Sequence, residues 1–157
     1  MIYLGIDPGL SGGIAAIDHN SNILLLEAVP VMAGLKANTR MVDGLAMRAL
    51  LIARQITPLH AAVFAAIERV NAMPKQGVTS SFKFGESYGI LQGVLCGLNI
   101  GHEFILPQAW KKYYGLSSDK AQSLAEVSRR YPGLKLKKSD DGMAEALLIA
   151  TYLKSAR

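Results

Sequence analysis

Hydrophobic and polar positions divide this chain into short strand-like runs at its start and longer helical patterns after residue 39. Ile2 to Ile6, Gly13 to Asp18 and Asn22 to Val29 are apolar runs separated by glycine-rich and Asp-His-Asn-Ser turns. They predict an antiparallel three-strand meander. Between Thr39 and Ile56, apolar Met41, Val42, Leu45, Leu50, Leu51 and Ile52 are spaced by Arg40, Arg48 and Arg54, a helical pattern that ends before Pro58. Ala61 to Ile67 is short and wholly apolar. Its length and position predict a buried strand parallel to the first, reached through a helical crossover.

Residues 69 to 80 form a predicted loop rich in Asn, Gly, Pro and Ser, long enough to carry function. Helical character resumes from Ser81 to Leu98, where Gly85, Gly89, Gly93 and Gly97 recur every four residues along one face. Such a row permits close approach to the sheet, to a second subunit or to a nucleic-acid backbone. His102 to Leu106 predicts a final strand. Helices are expected from Pro107, over Ser118 to Arg130 and over Asp140 to Lys154. The order predicts an α/β fold with a mixed sheet, three meander strands joined by parallel ones, and helices on both faces. Residues 1–157 fit one domain large enough to bury a core without a disulfide or structural metal.

Charge sharpens this picture. The formal net charge is +5, yet residues 1 to 104 hold seven basic and seven acidic side chains, and residues 105 to 157 hold ten and five. Lys111, Lys112, Lys120, Arg129, Arg130, Lys135, Lys137 and Lys138 are interleaved with Trp110, Tyr113, Tyr114 and Tyr131. A basic stripe with aromatics is the footprint of a polyanion partner, most often nucleic acid; a solvated basic face is the plainer reading. Cys96 is the one cysteine and reads as a small core residue in a reducing compartment. No apolar run reaches the roughly 18 residues of a membrane span, and Met1-Ile2-Tyr3 has no basic signal-peptide region, so a cytoplasmic protein with no membrane contact is expected.

Three acidic motifs carry the candidate chemistry. Asp7 closes the first strand and is followed at once by Pro8, Gly9, Gly12 and Gly13; Glu68 closes the strand Ala65-Ala66-Ile67. On adjacent strands, about 4.8 Å apart, the two acids emerge at the same sheet edge and repel unless a cation lies between them. Asp140 and Asp141 open the last helix, with Glu145 one turn after Asp141. A plain N-cap accounts for Asp140. Glu145, within the apolar Met143, Ala146, Leu147, Leu148 and Ile149, is less easily explained that way. Carboxylates converging without a Cys or His cluster make a hard oxygen site for Mg²⁺ or Mn²⁺, suited to phosphodiester hydrolysis. His19, His60 and His102 stand at turns or strand starts, and no Ser-His-Asp, Cys-His or phosphate-loop pattern is present.

These motifs carry a resemblance. Gly5-Ile6-Asp7-Pro8-Gly9, Ala66-Ile67-Glu68 and Asp141-Gly142-Met143-Ala144-Glu145-Ala146-Leu147-Leu148-Ile149-Ala150, in that order and spacing, resemble the RuvC family of Holliday junction resolvases over essentially the whole chain. Asn71 to Val78 and Pro107 to Lys112 further resemble RuvC-like proteins of bacteriophages and prophages. The resemblance implies a ribonuclease H-like fold, a homodimer, and paired cuts across a four-way DNA junction with a divalent metal. Asp7 and Glu68 match the first two catalytic acids. Glu145 occupies the last position, but Gly142 stands three residues before it, where the family places an acid or a His; Asp141 is the nearest substitute.

Under this resemblance Asp7, Glu68, Asp141 and Glu145 are the metal-binding catalytic residues, with Asp7 shared between two ions. Lys135, Lys137 and Lys138 are expected on phosphates near the scissile bond, and Lys111 and Lys112 on the duplex arms. Lys75, Lys83 and Lys120 extend the predicted DNA-binding set. Met73, Phe82 or Phe84 is a candidate wedge at the junction centre, one phenylalanine facing out and the other packing inward. Other readings are a ribonuclease H-like nuclease for RNA or RNA–DNA hybrid, a non-catalytic junction binder and, more distantly, an actin-like phosphotransferase.

Overall fold

Alternation along two neighbouring strands decides what reaches each face of the sheet. In β1 (Ile2–Asp7), Ile2, Leu4 and Ile6 face one way, and Tyr3, Gly5 and Asp7 the other. In β6 (Val63–Glu68), Val63, Ala65 and Ile67 join the first set, whereas Phe64, Ala66 and Glu68 join the second. The strands are parallel and in register from Ile2–Val63 to Ile6–Ile67. Their terminal acids therefore leave on the same side of the same edge.

The structure is a computed structural model that describes residues 1–34, 36–69, 71, 77–117 and 119–157, with only the backbone described at Lys120. Its main sheet has the order β3-β2-β1-β6-β7, with β2 (Gly13–Asp18), β3 (Ile23–Ala28) and β7 (Gly101–Ile105) completing it. Strands β1, β2 and β3 are antiparallel neighbours, whereas β6 and β7 continue in parallel. The predicted mixed sheet is thus present.

One face carries α1 (Gly44–Ala53) and α2 (Val78–Gly97), packed through Met47, Leu51, Leu91 and Leu95. The other carries α3 (Pro107–Tyr114), α4 (Lys120–Arg130) and α5 (Asp141–Ser155) around Trp110, Val127 and Leu147. Asp43 caps α1, accepting from the Ala46 amide at 2.8 Å. Helix α5 lies directly on β1 and β2. A β-carbon added at Gly5 would come within 2.2 Å of the Ala146 carbonyl oxygen, and one at Gly13 within 2.4 Å of that of Gly142. This backbone contact sets Glu145 beside the strand acids.

Several expectations are corrected. The helix expected from Thr39 begins only at Gly44, because Arg40–Val42 (β5) pairs with Val31–Ala33 (β4) in a small hairpin. Cys96 is exposed: the stripe of α2 that faces the core is Ser87, Leu91 and Leu95, and Cys96 lies one residue off it. Gly85, Gly89, Gly93 and Gly97 are likewise on the outer side, where an added β-carbon meets nothing within 4 Å, so they are not the contact between α2 and the sheet. Among the described residues no helix is long and apolar enough to cross a membrane.

Candidate metal centre and nucleic-acid face

Asp7, Glu68 and Glu145 converge at the C-terminal edge of the central strands, with one ligand oxygen from each lying within 4.8 Å of the others. Glu68 and Glu145 are buried and Asp7 is partly exposed. Three oxygen donors with no Cys or His among them fit a hard divalent cation, and the mutual repulsion of three close carboxylates gives such an ion a strong electrostatic role.

Neighbouring helices hold two of these acids from outside. The Trp110 indole Nε1–H donates to Glu68 Oε1 at 2.9 Å. Lys111 Nζ lies 3.3 Å from Glu145 Oε1, and the Ser123 hydroxyl donates to the same oxygen at 3.3 Å. The Lys111 ammonium also lies 5.0 Å from the centroid of the Trp110 ring. Burial pushes the Glu68 carboxyl above the usual range; the Trp110 hydrogen bond opposes this, the Glu145 charge adds to it, and Lys111 opposes it more weakly.

Asp141 and Asp140 take different places. Asp141 is the first residue of α5, partly exposed, and is outside the three-acid group. Asp140 serves the turn before α5: its Oδ2 accepts from the Lys137 amide at 2.8 Å, while its own amide donates to the Lys137 carbonyl at 3.0 Å. Asp140 stands at the N-cap position of α5, but contrary to expectation its side chain makes no hydrogen bond to that helix, because its carboxylate is engaged by the Lys137 amide of the preceding turn. Gly142 is buried against the Asp7 turn, where a β-carbon would approach the Ser11 carbonyl oxygen to 2.3 Å. No carboxylate fits at that position.

The expected nucleic-acid residues differ in exposure. Lys112, Lys135, Lys137 and Lys138 are exposed, whereas Lys111 is half-buried. Lys111 and Lys112 line a cleft of about 570 Å³ with Pro107, Gln108, Leu116 and Ser117. A second cleft, of about 390 Å³, joins the Gly9–Ser11 turn to Arg40, Ser80, Lys83 and Phe84. Phe82 is 73% exposed, whereas Phe84 is partly buried and stacks on Tyr88 at 6.4 Å. Lys75, Met73 and the side chain of Lys120 lie outside the described residues.

Sequence reasoning missed the role of Trp110. Grouped with surface aromatics, it is fully buried; Tyr114 likewise packs inward and donates to the Leu148 carbonyl at 3.0 Å. The spacing of residues 110 and 114, one helical turn, was the available signal.

A ribonuclease H-like α/β sheet with acids at the ends of two adjacent parallel strands, completed by an acid from a helix laid across them, defines the class. Comparison with known proteins narrows it. The chain is 33% identical over 169 aligned positions to the crossover junction endodeoxyribonuclease RuvC of Zymomonas mobilis, covering all of this chain and 95% of that one, and it belongs to the RuvC family. Its fold matches Thermus thermophilus RuvC in complex with a Holliday junction substrate, with a TM-score of 0.61, 18% identity, and coverage of 99% of this chain and 96% of the other. A second Thermus thermophilus RuvC structure matches at a TM-score of 0.54 and 17% identity, with 99% and 97% coverage. No family model matches the chain.

Proposed function

We propose that this protein is a divalent-metal-dependent endonuclease that resolves four-way DNA junctions in the cytoplasm, acting as a homodimer. The observation that carries this reading is the convergence of Asp7, Glu68 and Glu145 within 4.8 Å at the sheet edge. Full-length similarity to a crossover junction endodeoxyribonuclease supports the substrate.

Asp7, Glu68 and Glu145 would hold the cation, Mg²⁺ in the first instance and Mn²⁺ in its place. Asp141, at the open end of α5, is proposed as a further ligand or as a carboxylate orienting solvent beside it. When bound, a divalent cation supplies Lewis-acid polarisation of the phosphodiester and an activated water. Lys111 lies 3.3 Å from Glu145 and at the rim of the first cleft, where its ammonium can offset negative charge developing on a phosphate. Lys112, Lys135, Lys137 and Lys138 are proposed to hold flanking phosphates without reading sequence. Phe82 is the proposed wedge, because exposed aromatic surface can stack on bases that are unpaired at a junction centre. Paired nicks on opposed strands need two sites related by a two-fold axis; the outward glycine face of α2 is the proposed contact between subunits.

The test is cleavage of a labelled four-way junction beside a matched linear duplex and an RNA–DNA hybrid, with Mg²⁺ or with EDTA. Paired, metal-dependent nicks confined to the junction are expected. Tight junction binding without cuts would make the protein a binder, and cleavage of the hybrid would move it to another nuclease class.

A further inference from the structure

Trp110 is fully buried, and its only polar atom is spent on a candidate metal ligand. The indole Nε1–H donates to Glu68 Oε1 at 2.9 Å, while an oxygen of the same carboxylate lies within 4.8 Å of ligand oxygens of Asp7 and Glu145. Indole is a donor and never an acceptor, so the bond forms only with a carboxylate oxygen turned towards it. It anchors Oε1 of Glu68 and so restricts how the carboxylate presents its other lone pairs. The indole is itself held: Trp110 packs among Ala66, Ala144 and Leu148 on the α5 side of the sheet, and the Lys111 ammonium sits 5.0 Å from its ring centroid. That ammonium in turn pairs with Glu145. Two consecutive residues of α3 thus grip two of the three acids, one by a neutral donor and one by a charge.

We propose that Trp110 is a positioning residue of the metal centre, orienting Glu68 for a divalent cation. Supporting hydrogen bonds of this kind set ligand orientation, and their loss typically costs metal affinity. The proposal rests on the reading of Asp7, Glu68 and Glu145 as metal ligands. As the chain has one tryptophan, the same group reports on the site through a single indole N–H resonance.

The experiment is calorimetric titration of Mn²⁺ into the full-length wild type and into Trp110→Phe, with circular dichroism to establish folding. About 10-fold weaker Mn²⁺ binding is expected in Trp110→Phe. The metal concentration for half-maximal junction cleavage should rise in parallel, with much of the rate recovered at saturating Mn²⁺. Equal Mn²⁺ affinity in the folded variant overturns the role of Trp110 while leaving the metal centre intact. A wild type that takes up no Mn²⁺ overturns the reading of the acids and this proposal with it. Should Trp110→Phe fail to fold, the indole N–H resonance of the wild type decides. It is expected to exchange slowly with solvent, to move in Glu68→Gln and to broaden with substoichiometric Mn²⁺; a freely exchanging resonance unmoved by either change overturns the proposal.

Discussion

Gly142 and Ser11 meet backbone to backbone: a β-carbon at Gly142 would approach the Ser11 carbonyl oxygen to 2.3 Å, and Gly12 and Gly142 form a parallel bridge. Helix α5 can reach the Asp7 turn only because Gly142 and Gly13 lack side chains where the two backbones meet, and Glu145 is placed by that approach. The absence of an acid at residue 142 is therefore a packing requirement of this chain. Gly142→Ala should destabilise the protein by about 2 kcal/mol or more, as expected for overpacking against rigid backbone, measured by urea unfolding. Gly142→Asp should fold still less well and gain no cleavage activity.

The proposed function separates the acids into ligands and supports. Asp7→Asn, Glu68→Gln and Glu145→Gln should each lower junction cleavage by about 10³-fold, within the range for loss of a central electrostatic group, while junction binding in EDTA persists. Asp140→Ala should act on stability instead, at about 1 kcal/mol for the lost hydrogen bond from the Lys137 amide. Parallel rate and melting measurements on the four variants check this separation. An Asp140→Ala protein of normal stability but abolished cleavage would move Asp140 into the centre.

Glu68 makes the metal-free protein sensitive to pH. Its carboxyl is held above the usual value of 4.5, chiefly by burial. A raised folded value means that the folded chain keeps this proton longer than the unfolded one. The associated stability is fully present below the unfolded value and is lost as pH rises through the folded one. In EDTA, Glu68→Gln should therefore gain melting temperature relative to wild type as pH rises from about 4.5. A wild-type-to-variant difference that stays constant across that range would exclude Glu68 as the source. Bound cation favours the ionised carboxylate, so metal-induced stabilisation should grow with pH over the same interval.

Phe82 and Phe84 should behave oppositely. Phe82 is 73% exposed and Phe84 packs on Tyr88. Phe82→Ala is expected to leave melting unchanged and to reduce junction cleavage, whereas Phe84→Ala should lower stability by about 1–3 kcal/mol through lost aromatic packing. Thermal melts and cleavage rates of the pair read both effects.

Exposed lysines are expected to contribute charge without sequence preference. Removing Lys112, Lys135 or Lys137 singly should weaken binding to junctions of different sequence alike and reduce the salt slope of log K by about 1 each. Fluorescence anisotropy across a salt series measures this. An unchanged slope would place that lysine off the DNA path.

Much of the frame was legible because strand periodicity is local. The meander strands, the parallel β6 and the acids at both strand ends could be read from apolar runs stopping at Asp7 and Glu68, and the structure places them side by side. What depended on partners was not legible. The β4–β5 hairpin overrides a helical pattern at Met41 and Val42 because three-residue strands pair across the chain rather than along it. Trp110 looked like one of several aromatics in a basic stripe until α3 was seen to dock beside Glu68. The glycines of α2 share a spacing that announces a face but not what it meets, and the structure turns that face outward.

Anomalous diffraction from crystals soaked in Mn²⁺ tests the metal centre most directly. The expected result is a peak bounded by the carboxylates of Asp7, Glu68 and Glu145, which disappears in Asp7→Asn. A fully soaked crystal with no peak among these three acids, or with Mn²⁺ bound elsewhere and junction cleavage retained in Asp7→Asn, would contradict the assignment of this site as the catalytic centre.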